Sequence, residues 1–245
     1  QALSPYLTYY GKADFLRAGA HARLYAQRPF IWRRLRFRRA CRQFLASVPD
    51  SPLIVLSRET FSGIMPGHRD FLGRPIWDTT AAAISLAREI ERALHRRFGP
   101  DAVVEFLYTT RERNAWAASV HGHLLRSIDL TQSLNEFTQA GAAQPGPDEM
   151  AALIASALAP TRVHIARLAD YAPLPAGPAS AILDLAEIPQ DVRAALKPAK
   201  HKNPGQPKNV REQFLKLNQI SLGKSALKEA KENLLRQIAQ RGTDD

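Results

Sequence analysis

Residues 102–127 read AVVEFLYTTRERNAWAASVHGHLLRS, an apolar run that ends in threonines and an arginine and passes directly into a helical pattern. Ala102 to Tyr108 is short, continuous and rich in valine, phenylalanine and tyrosine, which predicts a buried strand. Arg111 closes it, and Ser119 stands eight positions further on, within the helix. An arginine at the carboxyl end of a parallel strand, followed by a hydroxyl on the next helix, suits a phosphate group. An exposed arginine with an unrelated helix serine is the plain alternative.

The pattern repeats upstream. Pro52 to Leu56 (PLIVL) is a second short apolar run, bounded by Pro49 and Asp50, and it delivers Ser57, Arg58 and Glu59 to its end. Asp78 is then the expected N-cap of a long helix whose Leu86, Ile90, Leu94 and Phe98 form one stripe, stopped by Gly99 and Pro100. Strand, helix, strand in this rhythm predicts an α/β fold with a parallel central sheet flanked by helices. Further on, the residues predict helices over 133–138 and 148–158, a strand over 162–168, and short helices over 179–186 and 190–196. A charged helical segment over about 210–241 is interrupted near Ser221 and Gly223. One domain over 1–245 is the expectation, with candidate chemistry at the carboxyl ends of the strands.

Composition narrows the class. The formal charge of +11 calls for an anionic partner of some kind, and no apolar run is long enough for a membrane span. Cys41 is the only cysteine, which excludes an internal disulfide and accords with a reducing, cytoplasmic setting. His121 and His123 are two residues apart on a helix, a spacing that puts them on different faces and gives no paired metal site. The densest basic cluster, IWRRLRFRRACRQF, carries Arg33, Arg34, Arg36, Arg38, Arg39 and Arg42. It reads as an amphipathic helix with a solvated basic face, or as a patch for an anionic polymer.

The strand, R-x(7)-S and helix of residues 102–127 resemble the segment with which sulfotransferases grip the 3'-phosphate of 3'-phosphoadenosine 5'-phosphosulfate (PAPS). PLIVLSRETF resembles the strand of bacterial members that ends in a serine and a glutamate. SLNEF and VHIARLADYAPLPAGPASAILDLAEIP fit later parts of the same order. The resemblance implies a P-loop-like fold and sulfuryl transfer from PAPS, a co-substrate, to a hydroxyl or amine acceptor such as a carbohydrate, with no metal. It places the 3'-phosphate on Arg111 and Ser119, brings Ser57 toward donor or acceptor, and sets Lys202 in a late basic loop (AKHKNPGQP) that closes the site or is merely solvated. Glu59 is the implied base, provided that burial or a fixed acceptor raises its basicity, and an ion pair with Arg58 or a helix-entry position is its structural alternative.

One departure stands out. The glycine-rich K-x-G-T-T loop that holds the 5'-phosphosulfate in that family has no counterpart here, and Gly11 with Lys12 follow no apolar strand and read as a turn. QALSPYL resembles the segment immediately after that loop's helix. The expectation is therefore a natural precursor longer at its amino terminus, or else a degenerate, noncatalytic relative that binds an anionic polymer.

Overall fold

Two short pairs of parallel strands organise the chain, which a computed structural model describes over residues 3–199, 206–220 and 222–241. In chain order, β1 (Thr8–Tyr10) leads to α1 (Leu16–Gln27) and α2 (Ile31–Ala46). Then β2 (Ile54–Leu56) precedes a 3-10 turn at Glu59–Ser62 and the long α3 (Thr80–Phe98). Next, β3 (Glu105–Thr110) runs into α4 (Arg113–Ser127), α5 (Leu134–Phe137) and α6 (Pro147–Leu158). After β4 (Arg162–Arg167) come α7 (Leu168–Tyr171), α8 (Ser180–Leu185) and α9 (Gln190–Ala194), and the chain closes with α10 (Lys208–Gln219) and α11 (Lys224–Arg241). The protein is mixed α/β and mostly helical. Its contacts divide it into two compact units, residues 1–113 with 144–200 and residues 114–143 with 201–245.

The first unit holds all four strands of the described residues. Thr8, Tyr9 and Tyr10 pair in parallel with Ile54, Val55 and Leu56, and Glu105 to Thr110 pair in parallel with Arg162 to Arg167. Parallel pairing agrees with the sequence reading, but a single central sheet does not form among the described residues: each pair stands as its own two-stranded sheet. The strand before Gly11 is a further correction. Thr8–Tyr10 lacks an aliphatic run, and its pairing with β2 makes it a strand. Alternation then covers β2 on both faces. Ile54 and Leu56 pack on a core of α1, α2 and α3 around Phe15, Phe37, Leu45 and Leu86, while Leu53 and Val55 pack with Leu7, Leu183 and Ile188. A third cluster, Ala83, Ala87, Ile154 and Leu158, seats α3 and α6 against Phe106, Tyr108 and Val163 of the second strand pair.

The predicted strand 102–108 sits at Glu105–Thr110 instead, because register with β4 begins at Glu105 and leaves Val103 exposed. That shift puts Arg111 directly after the last paired residue. At the start of α3, Thr79 takes the N-cap position, and the Asp78 carboxylate accepts the Thr80 N–H at 2.8 Å.

In the second unit, buried polar side chains cover carbonyls at the end of α4 and just beyond it. Asn218 Nδ2 lies 3.0 Å from the Leu125 carbonyl and 2.7 Å from that of Leu130, and Lys231 Nζ donates to the Ile128 carbonyl at 2.7 Å. α10 presents Val210, Phe214 and Asn218 as its buried face, one residue per turn. His121, also buried, hydrogen-bonds the Gln132 carbonyl through Nε2 at 2.8 Å and leans on the Phe137 ring. Burial lowers its pKa below the usual 6.5, with Arg211 adding to the effect and the Gln132 hydrogen bond opposing it. In the first unit His21 is lowered too, by burial and then by Arg17 and Arg36.

Both shifts carry a sign. A histidine that resists protonation in the native state makes the unfolded chain the better proton acceptor below about pH 6.5, so stability falls as pH drops through that value. Urea unfolding should therefore show a lower free energy at pH 5.5 than at pH 7.5, and the loss should shrink in His121→Gln, which keeps a donor for Gln132. An identical loss in the variant would remove His121 from the cause.

Candidate functional site

Parallel strands send their carboxyl ends the same way, and residues just past those ends are the ones free to meet a ligand. β1 and β2 end together, with Tyr10 opposite Leu56 and the Ser57 N–H donating to the Tyr10 carbonyl at 2.9 Å. Ser57 is half-buried there, and Glu59 is exposed at the first residue of the 3-10 turn. No ion pair joins Glu59 to Arg58 among the described residues; of the two structural alternatives Glu59 takes the helix-entry position.

Arg58 has other partners. Its Nη1 donates to the Lys12 carbonyl at 2.7 Å and its Nε to Thr60 Oγ1 at 2.8 Å, and the guanidinium lies over the Phe15 ring, 6.0 Å from its centroid. It thereby ties the segment after β2 to the loop after β1. α1 admits it through Gly19, where a Cβ would stand 1.6 Å from Arg58 Nε. The Gly11–Lys12 turn is closed from within: the Asp14 carboxylate accepts the Gly11 N–H at 2.7 Å, and the Asp14 N–H returns to the Gly11 carbonyl at 3.1 Å. A carboxylate already occupies the N–H that an anion would use, so this loop is not built as an anion cradle.

The second strand pair ends in three arginines. Arg113 pairs with Glu149 at 2.6 Å, and Arg167 pairs with Asp148 at 3.1 Å. Both acids lie in the first turn of α6, where Glu149 also accepts the Gly146 N–H. That hydrogen bond first, and the Arg113 charge after it, hold the Glu149 carboxyl below the usual range against the opposing effect of burial. All three are exposed, and Arg111 alone of them has no hydrogen bond or ion pair among the described residues. Beside it Thr110 is 4 % exposed, and its hydroxyl lacks a protein partner among those residues.

Ser119 is exposed on α4, on the part of the helix that belongs to the second unit. Ser57 and Glu59 thus share one strand end, Arg111 follows another, and Lys202 lies outside the described residues. Among the described residues no group of three or more His, Cys, Asp or Glu side chains could hold a metal, and no helix is long and apolar enough to cross a membrane.

The basic run 33–42 forms α2, and its arginines divide. Arg38 grips the carboxylate of Glu89 on α3 with Nε at 2.6 Å and Nη2 at 2.9 Å, Arg92 adds a contact at 3.2 Å, and Arg34 stands 3.8 Å away. Arg33 donates to the Leu24 carbonyl at 3.0 Å. Arg36, Arg39 and Arg42 carry no such bonds among the described residues and are exposed, as is Trp32, whose ring stacks on Phe30 at 4.5 Å. The sequence reading does not single out Glu89, although it falls three residues after Leu86, inside the apolar stripe of α3.

No protein-family model, curated protein or solved structure matches this chain.

The Gly19 contact gives a test whose sign reverses. Gly19→Ala should improve helix propensity by about 1 kcal/mol but displace a charged hydrogen-bonding group worth roughly 1.5–3 kcal/mol, a net loss on the order of 1 kcal/mol. In an Arg58→Ala background the same change should stabilise. Chemical denaturation of the four proteins measures the cycle, and additive effects would refute the packing of Arg58 on Gly19.

Proposed function

We propose that this chain acts in sulfuryl transfer from PAPS to a hydroxyl or amine acceptor, on a sulfotransferase-type fold related to the P-loop proteins. The observation that carries the reading is the partnerless Arg111 at the carboxyl end of β3. Its two neighbours at that end are neutralised by acids of α6, and the chain continues from it into the helix that bears Ser119.

In this reading the 3'-phosphate of the donor takes the charge of Arg111 and the hydroxyl of Ser119. Transfer then needs in-line placement of the acceptor, neutralisation of the leaving phosphate and removal of the acceptor proton. Glu59 is the proposed base. It is exposed, so a bound acceptor must supply the desolvation that strengthens a carboxylate base. Ser57, one residue past the β2 end, is placed to orient that acceptor or the donor, and Lys202 is assigned to the donor's phosphate. The step itself leaves no covalent mark on the protein, because the acceptor oxygen or nitrogen attacks sulfur while the bridging oxygen of the donor departs with its electron pair.

The product nucleotide 3'-phosphoadenosine 5'-phosphate tests the site directly. It should raise the unfolding free energy of the chain by about 2.7 kcal/mol at one hundred times its dissociation constant. Arg111→Ala should erase most of that gain, and Ser119→Ala should reduce affinity by about 1 kcal/mol, one hydrogen bond's worth. In a version of the protein that includes a 5'-phosphosulfate loop, Glu59→Gln should leave nucleotide binding intact and slow transfer by roughly 100-fold. Equal stabilisation of wild type and Arg111→Ala would end the assignment.

A second reading, an anionic-polymer module, draws on the exposed face of α2, where Trp32 is 52 % exposed alongside Arg36, Arg39 and Arg42. Under it, heparin affinity should fall steeply with salt, and the joint Arg36→Gln and Arg39→Gln variant should flatten the log–log slope by about one unit per arginine removed. An unchanged slope returns these arginines to a solvated face.

A further inference from the structure

We propose that the cavity between α2 and α3 is a binding site for a phosphate-like oxyanion, with Arg42 and Arg92 as its direct ligands. The site depends neither on PAPS nor on a polymer, and it stands apart from Arg111 in the chain. The cavity holds about 150 Å³ and is lined by Arg38, Arg42, Glu89, Arg92 and Ala93. One water accounts for about 30 Å³ of liquid, so a tetrahedral oxyanion fits with hydration to spare.

Charge argues for an anion. Three guanidinium groups against one carboxylate leave the lining with two net positive charges, the complement of a phosphate dianion. The carboxylate does not oppose such a ligand at contact. Glu89 is 1 % exposed, its Oε2 accepts Arg38 Nε, and its Oε1 accepts both Arg38 Nη2 and Arg92 Nη1. What the cavity offers outward is therefore guanidinium N–H.

Donors remain to be filled. A guanidinium has five N–H groups; Arg38 spends two on Glu89 and Arg92 one, while Arg42 has no hydrogen bond or ion pair among the described residues. Close by, the buried Nε of Arg34 also lacks an acceptor, with its side chain 3.8 Å from Glu89. Cations gathered round a single carboxylate repel one another, and a second anion in the cavity relieves that repulsion while taking up the unused donors. Planar guanidinium forks match the oxygen edges of phosphate, which makes a phosphate or a terminal phosphomonoester the favoured ligand class.

Inorganic phosphate, titrated into the full chain by calorimetry with chloride holding ionic strength constant, is the first probe. A saturable site is expected. Arg42→Gln should weaken it by about tenfold or more while leaving the urea midpoint unchanged, since that side chain has no protein partner to lose. Arg111→Ala should leave this site untouched, so its failure and the failure of the PAPS reading are separate events. Glycerol phosphate as a parallel probe identifies the source: tighter binding than phosphate assigns the site to an ester, and weaker binding assigns it to the free ion, both within the proposal. Absence of saturable binding by either probe, or binding that Arg42→Gln does not change and Arg111→Ala abolishes, would overturn it.

Discussion

The Glu89 carboxylate is buried to 1 % between two helices, and a charge in that position has to be matched where it lies. Arg38 meets it with two parallel hydrogen bonds, and Arg92 and Arg34 stand beside it. Burial alone would push the Glu89 pKa up; the Arg38 hydrogen bond and the arginine charges outweigh it and hold the carboxyl ionised, below its usual range. α2 and α3 are thus joined by a charged clasp at the edge of the apolar core that they share with α1. Removing one partner would strand the others, which is why such a pair fixes the register of two helices more firmly than its net stability suggests. Cys41, in that core, feels the same charge: burial first and Glu89 second push its thiol up to about 12, so the single cysteine is an inert packing group.

The clasp also decides what α2 can do. At 100° per residue, Arg34, Arg38, Cys41 and Leu45 fall toward the core side and Arg36 and Arg39 fall on the solvent side with Trp32 and Leu35, while Arg42, about 40° from Arg38, borders the cavity over Glu89. A run that looks like one basic stretch is two sets of arginines with different work. The inner set keeps a buried acid charged. The outer set faces whatever anion the protein meets.

Arg58 and Arg111 make the same distinction at the strand ends. Each follows a parallel strand within two residues. Arg58 is committed to the Lys12 carbonyl, to Thr60 and to the surface of α1 at Gly19, so it shapes the loop instead of meeting a ligand. Arg111 has no such commitment among the described residues, and the acids that could have neutralised it are taken by Arg113 and Arg167. Free charge at a strand end, left over after the neighbours are paired, is the physical content of the candidate site.

Apolar patterning makes most of the helices and three of the strands legible in the sequence, because it reports burial directly, whereas α1 and α7 are not read there. β1 is hidden because Thr8–Tyr10 has no apolar run of its own and becomes a strand only by pairing with residues more than forty positions away. Arg58 departs from its local sequence for a related reason. Adjacency suggests a pair with Glu59, yet consecutive side chains near an extended segment point to opposite sides, and the true acceptor is a backbone carbonyl across the fold. Glu89 is within reach, since a charged residue three positions after Leu86 in an apolar stripe must be paired, but its partner sits on another helix and no local pattern names it. Sequence therefore locates the candidate residues, and non-local pairing decides which of them stay free: Arg111 among the strand-end arginines, and Arg36, Arg39 and Arg42 on α2.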